Sequence, residues 1–419
     1  MKQFIPVSAL MLSVVGCSLD VGSGDGSGGS NNTTAGTSAV GGNSSGGGAV
    51  AGSPSTGGGG ASTAGGSSGT AVGGAPTAGS PGTGGAAGAS AGGSGASGSG
   101  AGGSSAGGSG AGGSAAGGSG PGATFKCDNL SLAPSMTGVA KPAGAAGGLK
   151  VLDWAGFKGA ASFTFDDNTP SQLANYAALK ATGGHFTWFL IASSAGSGYK
   201  ATIADGQEIA NHTQTHPGSA SQAEVTNAQN TLKTNFGVTV NSMAAPNCAD
   251  AWAAFAAPAN LFQNRGPCGN VSTVGPRDNT DPFRLPAYLP ATGEASGTMS
   301  ATITAGKWRI FVIHGFDSQN GTYQPVPIAN VTASMSKAVT DGFWVEGMTN
   351  VGAYWQGQKL IPASATTSAT WTLPAKFPPN MCVRVTTTGG VVKQKGETIA
   401  WDPHGYYQIS LDAGAVTVE

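Results

Sequence analysis

The sequence predicts an α/β fold, a parallel sheet or barrel, preceded by a long unfolded tract and followed by a small all-β module. Three observations predict it. Between about residues 147 and 360, short apolar β-type runs alternate with segments of helical periodicity. Glycine makes up 73 of the 419 residues, more than half of it before residue 124, and only 9% of the chain is charged. After about Ile361 the rhythm changes to short β-type runs broken by turn residues.

The first β-type run, Ser162-Phe163-Thr164-Phe165, ends in two adjacent carboxylates, Asp166 and Asp167. Burying one carboxylate costs several kcal/mol unless it is paired or bound to a cation, so two together at a strand end mark a site. Asn168-Thr169-Pro170 then supplies a cap and a first-turn proline for a helix over Ser171 to Ala181. Phe186 to Ile191 reads as a buried strand and Glu208 to Asn211 as a shorter one. A polar amphipathic helix follows from Ser221 to Phe236, closed by Gly237. Further strands are expected over Val240 to Ala245, Trp308 to Ile313 and Phe343 to Val345, with a helix from Ile328 to Val339 between the last two. The candidate catalytic residues all fall just after strands, and in a parallel barrel those strand ends gather at one mouth.

Beyond Ile361 the expected strands are Ala369 to Leu373, Val383 to Thr387, Gly389 to Val392 and Tyr406 to Leu411, a pattern that suits a small sandwich. Trp371, Trp401, Tyr406 and Tyr407 there offer sugar-stacking surface, although aromatics in such a setting more often fill a core.

The chain starts with Met1-Lys2-Gln3 and an apolar run from Phe4 to Val15, too short to span a bilayer, which reads as a secretory signal. Val14-Val15-Gly16-Cys17 resembles the lipobox of bacterial lipoproteins, in which the Cys is lipidated. By the same resemblance, Ser18 after it points to the outer membrane or cell surface. Residues 18–123, almost entirely Gly, Ser, Ala and Thr, cannot bury enough apolar surface to offset chain entropy. They form a tether, spanning roughly 50–60 Å on average. The expected parts are therefore a signal over 1–17, the tether over 18–123, a catalytic domain over 124–360 and the β module over 361–419.

A net charge of −1 with no basic cluster excludes a nucleic-acid role and suits an uncharged polymer. Cys127, Cys248, Cys268 and Cys382, an even number in an exported chain, favour disulfides. Of three connectivities, we expect Cys248–Cys268 as one loop and Cys127–Cys382 across the ends of the fold. The chain is expected to act as a monomer.

His212 and His216 lie four apart in Asn211-His212-Thr213-Gln214-Thr215-His216-Pro217, a spacing that converges on one cation. Two imidazoles and one carboxylate leave a tetrahedral cation with an open position, the arrangement of a hydrolytic site. His185 and His404 stand outside this constellation and read as structural or exposed.

Together, the Ser162–Asp167 and Asn211–Pro217 segments resemble the first two motifs of the polysaccharide deacetylase family, the NodB-homology or carbohydrate esterase 4 group. The resemblance covers roughly residues 147–360 and implies a distorted (β/α) barrel. It implies Asp167, His212 and His216 as ligands to one divalent metal, Zn²⁺ or else Co²⁺, and Asp166 as general base. Thr213 matches the hydroxyl that braces the His loop, and His314 in Phe311-Val312-Ile313-His314-Gly315 matches the general acid. One motif departs: where the family has Arg-x-Pro-Tyr, this chain has Ala244-Ala245-Pro246-Asn247. Asn247 still offers a backbone N–H for an oxyanion. The arginine that orients the base is missing there, and Arg284 is our first choice to replace it. The implied activity is hydrolysis of N-acetyl, or O-acetyl, groups on an extracellular or cell-wall polysaccharide. The alternative is a weakened surface lipoprotein that binds polysaccharide without turnover.

Overall fold

A computed structural model describes residues 125–269, 272–316, 322–364 and 366–419. The secretory signal, Cys17 and the tether expected over 18–123 lie outside the described residues. Among the described residues, no helix is long and apolar enough to cross a membrane.

The strands of the first part are β1 (Lys150–Val151), β2 (Ala160–Asp166), β3 (Thr187–Leu190), β4 (Glu208–Asn211), β5 (Ser242–Ala244), β6 (Gln263–Arg265), β7 (Trp308–Ile313) and β8 (Trp344–Val345). All but β1 form one parallel sheet in the order β6-β5-β4-β3-β2-β7, with β8 paired to the first two residues of β2. The gap between β6 and β7 is bridged by irregular backbone: Leu285 pairs with Arg265, and Tyr288 pairs with Phe311. The sheet thus curls into the distorted (β/α) barrel that the sequence implies.

The helices are α1 (Pro170–Ala174), α2 (Tyr176–Lys180), α3 (Lys200–Ile203), α4 (Gln222–Phe236), α5 (Ala253–Ala256), α6 (Ser296–Ala301), α7 (Ile328–Thr340) and α8 (Met348–Leu360). Helix α4 starts where the Ser221 side chain accepts from the Glu224 N–H and stops at Gly237, whose φ of 73° a side chain would strain. The single helix expected over Ser171 to Ala181 is instead two. Asn175 leaves the helical region (φ −105°, ψ 10°) and turns its side-chain amide back to the Ser171 carbonyl, a local bond that competes with the helix ladder.

Strand alternation decides which residues meet. Along β2, Phe163 and Phe165 pack outward with α4 and α7 residues such as Leu232 and Met335. Ser162, Thr164 and Asp166 take the opposite, inner face. Along β7 the same rule sends Phe311 and Ile313 outward and Trp308, Ile310 and Val312 inward. Phe165 is in register with Ile313, so the next residues on each strand, Asp166 and His314, are neighbours at the mouth.

The remaining strands are β9 (Ser368–Thr370), β10 (Cys382–Thr386), β11 (Val392–Gln394), β12 (Glu397–Thr398), β13 (Trp401–Asp402), β14 (Tyr406–Ser410) and β15 (Ala415–Val418). They form two antiparallel sheets, β1-β10-β14-β13 and β12-β11-β15-β9. The first is completed by β1 from ahead of the barrel, and one apolar core runs from Trp308 and Trp344 inside the barrel through Trp355 to Val383 and Ile409. The aromatics here serve that core. Tyr406 and Tyr407 are buried, and the Trp371 and Trp401 indoles donate to the Leu411 and Val139 carbonyls. Cys127–Cys382 and Cys248–Cys268 are disulfides, the second closing a loop between residues 20 apart.

Candidate active site

Asp166, His212, Ala244, Arg265 and His314 come from five strands or their ends and meet at one end of the barrel. Asp166 is 1% exposed and His212 2%. Asp167, Asn168, Thr213, His216 and Asn247 all hold positive φ, between 54° and 75°. Non-glycine residues adopt that region at a cost of order 1–3 kcal/mol each, and such strain clusters at functional sites. Side chains hold the turns in place. The Asn168 amide both donates to the Ile191 carbonyl and accepts the Ile191 N–H. Asn211 accepts the Thr213 N–H, and the Thr213 hydroxyl accepts the His216 N–H, so Thr213 does brace the histidine loop.

One ligand-type atom each from Asp167, His212 and His216 lie within 4.8 Å of one another. The Asp167 Oδ1 is 3.3 Å from His212 Nε2 and 3.7 Å from His216 Nε2. His212 Nδ1 is 3.0 Å from the Ala244 carbonyl, which can only accept, so the proton sits on Nδ1 and Nε2 is free as a donor atom. Asp167 Oδ1 is buried with no hydrogen-bond partner. An ionised, unpartnered oxygen facing two imidazole nitrogens is costly unless a cation completes it, so this donor set fits a divalent metal. Burial would raise the Asp167 carboxyl, but His212 beside it, with His314 and His216, holds it at about 2. Burial likewise lowers the His212 imidazole, but the Asp166 and Asp167 charges outweigh it and raise the value. His216 is lowered, by burial and by its neighbour His212.

The base brace differs from expectation. Arg284 is half exposed and pairs with Asp250 and Asp281, 2.7 and 2.6 Å away, so it does not touch Asp166. The guanidinium at Asp166 belongs to Arg265: Nη1 donates to Oδ1 at 3.0 Å and Nη2 to Oδ2 at 2.5 Å. Arg265 is 1% exposed, bonds the Thr164 hydroxyl as well, and lies over the Phe189 ring. It stands in register with Ala244 on the adjacent strand. The charge missing from position 244 therefore arrives from one strand over. Gln263-Asn264-Arg265 escaped notice as a strand because all three are polar, yet all three are buried.

Gln172 was also missed. Fully buried on α1, its Nε2 donates to both the Asp166 and His314 carbonyls, at 2.5 and 2.9 Å, while its Oε1 accepts from Tyr199. One amide thus ties together the backbones that carry the two residues. Thr169 adds a second bond to the His314 carbonyl. The His314 Nδ1 is buried and unpartnered, and its imidazole is lowered by burial, partly offset by Asp166 and Asp167. Asn247 sits on the disulfide-closed loop after β5, and its N–H donates to no acceptor among the described residues. His185 bonds the buried Glu346, and His404 bonds Asp402 at the surface.

The mouth of the parallel barrel thus gathers two imidazoles, a carboxylate, and a second carboxylate braced by arginine. Residues 156–254 match the family model described as Polysaccharide deacetylase. That match includes Asp166, Asp167, His212, His216 and Asn247, and stops before Arg265 and His314. No curated protein matches the chain. Among solved structures it is similar to the Xyl-CE4 domain of a multidomain xylanase from the hindgut metagenome of Trinervitermes trinervoides, at 16% identity and TM-score 0.35, over 50% of this chain and 95% of that one. A peptidoglycan deacetylase from Bacillus subtilis is similar at 16% identity and TM-score 0.32, over 48% and 93%. A family 4 acetyl xylan esterase from Clostridium thermocellum, solved with cobalt, is similar at 12% identity and TM-score 0.31, over 46% and 89%.

Proposed function

We propose that this chain is an exported, metal-dependent deacetylase, lipid-anchored through Cys17 at the outer membrane or cell surface, that removes N-acetyl or O-acetyl groups from a polysaccharide. One observation carries the metal-dependent reading: Asp167 Oδ1, buried and unpartnered, faces His212 Nε2 and His216 Nε2 beside the Arg265-braced Asp166.

Asp167, His212 and His216 would hold one divalent cation, Zn²⁺ by preference, which supplies Lewis acidity that polarises the acetyl carbonyl and makes water nucleophilic near neutral pH. Asp166, kept in place by Arg265, accepts the proton that water loses as its oxygen attacks the acetyl carbon. The Asn247 N–H is available to the developing oxyanion. His314 gives a proton to the departing nitrogen or oxygen as its bond to carbon breaks, leaving acetate and a free amine or hydroxyl. The rival reading, a glycan binder without turnover, drew on the missing arginine, and Arg265 at Asp166 weakens it.

The test is acetate release from acetylated chitooligosaccharides and acetylated xylan by the full chain, with and without added Zn²⁺ or Co²⁺, and with Asp166→Asn as the control. The expected result is cation-dependent acetate release lost in the variant, with the preferred polymer separating amide from ester chemistry. Cation binding without acetate from either polymer would favour the binder.

A further inference from the structure

The large apolar side chains left open to solvent among the described residues are Met136, Val339 and Tyr323, and Tyr323 is the aromatic one. An isolated exposed apolar residue needs no explanation. The position of this one does. Its ring meets the His314 ring edge to face, with centroids 5.2 Å apart and planes at 87°, and it remains 58% exposed. The exposed aromatic surface of the described structure therefore lies against the candidate general acid, and the aromatics of the C-terminal sheets do not offer an equivalent.

The backbone that carries Tyr323 is held on its C-terminal side. Val326 N–H donates to the Gly315 carbonyl, one residue past His314, and the Pro325 carbonyl accepts from Gly293. Gly315 makes room for this segment, since a Cβ there would stand 2.9 Å from the Thr322 methyl and 2.6 Å from the Thr169 hydroxyl. Gln324, next in the chain, holds a φ of 42° and a buried side-chain oxygen with no partner. Strain of this kind persists only where the surroundings enforce it, so the chain directly after the ring is held in place. An exposed aromatic ring anchored beside the site is suited to a sugar, whose C–H face stacks on it.

We infer that Tyr323 is a stacking platform for a pyranose ring of the polymer, placed beside His314 so that the acetylated residue next to it enters the site. The inference deepens the deacetylase reading and rests on it for the identity of the ligand. It makes the active-site mouth, and not the C-terminal sheets, the place where chain length of the glycan is sensed.

The experiment is calorimetric titration of the full chain, stripped of divalent cations to suppress turnover, with tetra-N-acetylchitotetraose, acetylated xylotetraose and the matching monosaccharides. The parent should bind one tetrasaccharide more tightly than its monosaccharide. Tyr323→Ala should weaken the tetrasaccharide about tenfold or more and abolish the length dependence, and Tyr323→Trp should restore most of it. Because the ring is exposed, thermal midpoints should agree across the variants. Unchanged tetrasaccharide affinity in Tyr323→Ala, or no binding of either tetrasaccharide by the parent, would overturn the platform. Acetate release is read separately: Tyr323-dependent binding without any acetate would keep the platform and reject the deacetylase.

Discussion

The two ends of the barrel hold the same kinds of residue and treat them in opposite ways. At the far end, Glu208 accepts from the Thr187, Ser242 and Thr349 hydroxyls and from the Thr349 N–H. The buried Glu346 accepts from the Gly347 N–H and the Ser131 hydroxyl and bonds His185. Every carboxylate oxygen of these two residues has a protein partner. At the mouth, Asp167 Oδ1 and His314 Nδ1 are buried with none. Since a buried polar atom without a partner costs about 1–3 kcal/mol, the far end contributes to stability and the mouth gives some of it up.

Asp166 stands between these cases, buried at the mouth yet fully paired, and it gives the largest expected effect. Arg265→Met should leave a buried carboxylate without its cation, costing about 3–5 kcal/mol in urea unfolding and lowering acetate release by roughly a hundredfold or more. Wild-type stability in that variant would erase the distinction between a braced and an unbraced carboxylate. Next in size, Glu208→Ala strands three hydroxyls and an N–H at the far end, and should cost about 2–3 kcal/mol while acetate release per folded molecule is unchanged. Asp167→Asn should abolish the thermal protection that added Zn²⁺ gives the parent.

The smallest effect is a pH dependence. Burial lowers the His185 imidazole, but its bond to Glu346 and that charge outweigh burial and raise it above the ordinary value near 6.5. A raised value means that the folded state binds the proton more tightly than the unfolded chain. The contribution is thus complete below about pH 6.5 and fades as pH rises through the folded value. Stability curves of wild type and His185→Gln against pH should converge on the alkaline side; a constant gap would show that His185 acts by packing alone.

Much of the mouth was legible because its residues advertise themselves. Paired carboxylates after an apolar run, a His-x3-His and a strand-end histidine are rare combinations in a chain with five histidines. The α/β rhythm carried the barrel for the same local reason, as apolar periodicity is a property of neighbours in sequence. What was not legible depends on register. Arg265 reaches Asp166 because β6 lies beside β5 with residue 265 opposite residue 244, a pairing across strands that no spacing encodes. Arg284, the expected replacement, finds two surface aspartates instead. Gln172 and Tyr323 were invisible for a related reason: a buried glutamine and an exposed tyrosine differ from ordinary helix and loop residues only once their neighbours are known.

The most direct test of the metal site as the centre of the chemistry is a titration of the stripped full chain with Zn²⁺, following bound metal and acetate release from tetra-N-acetylchitotetraose and acetylated xylotetraose in the same samples. Both signals should rise together and saturate at one cation per chain, and Asp167→Asn should lose both. Acetate release at full rate from chain carrying no bound metal, or no binding of metal up to one equivalent, would contradict the account.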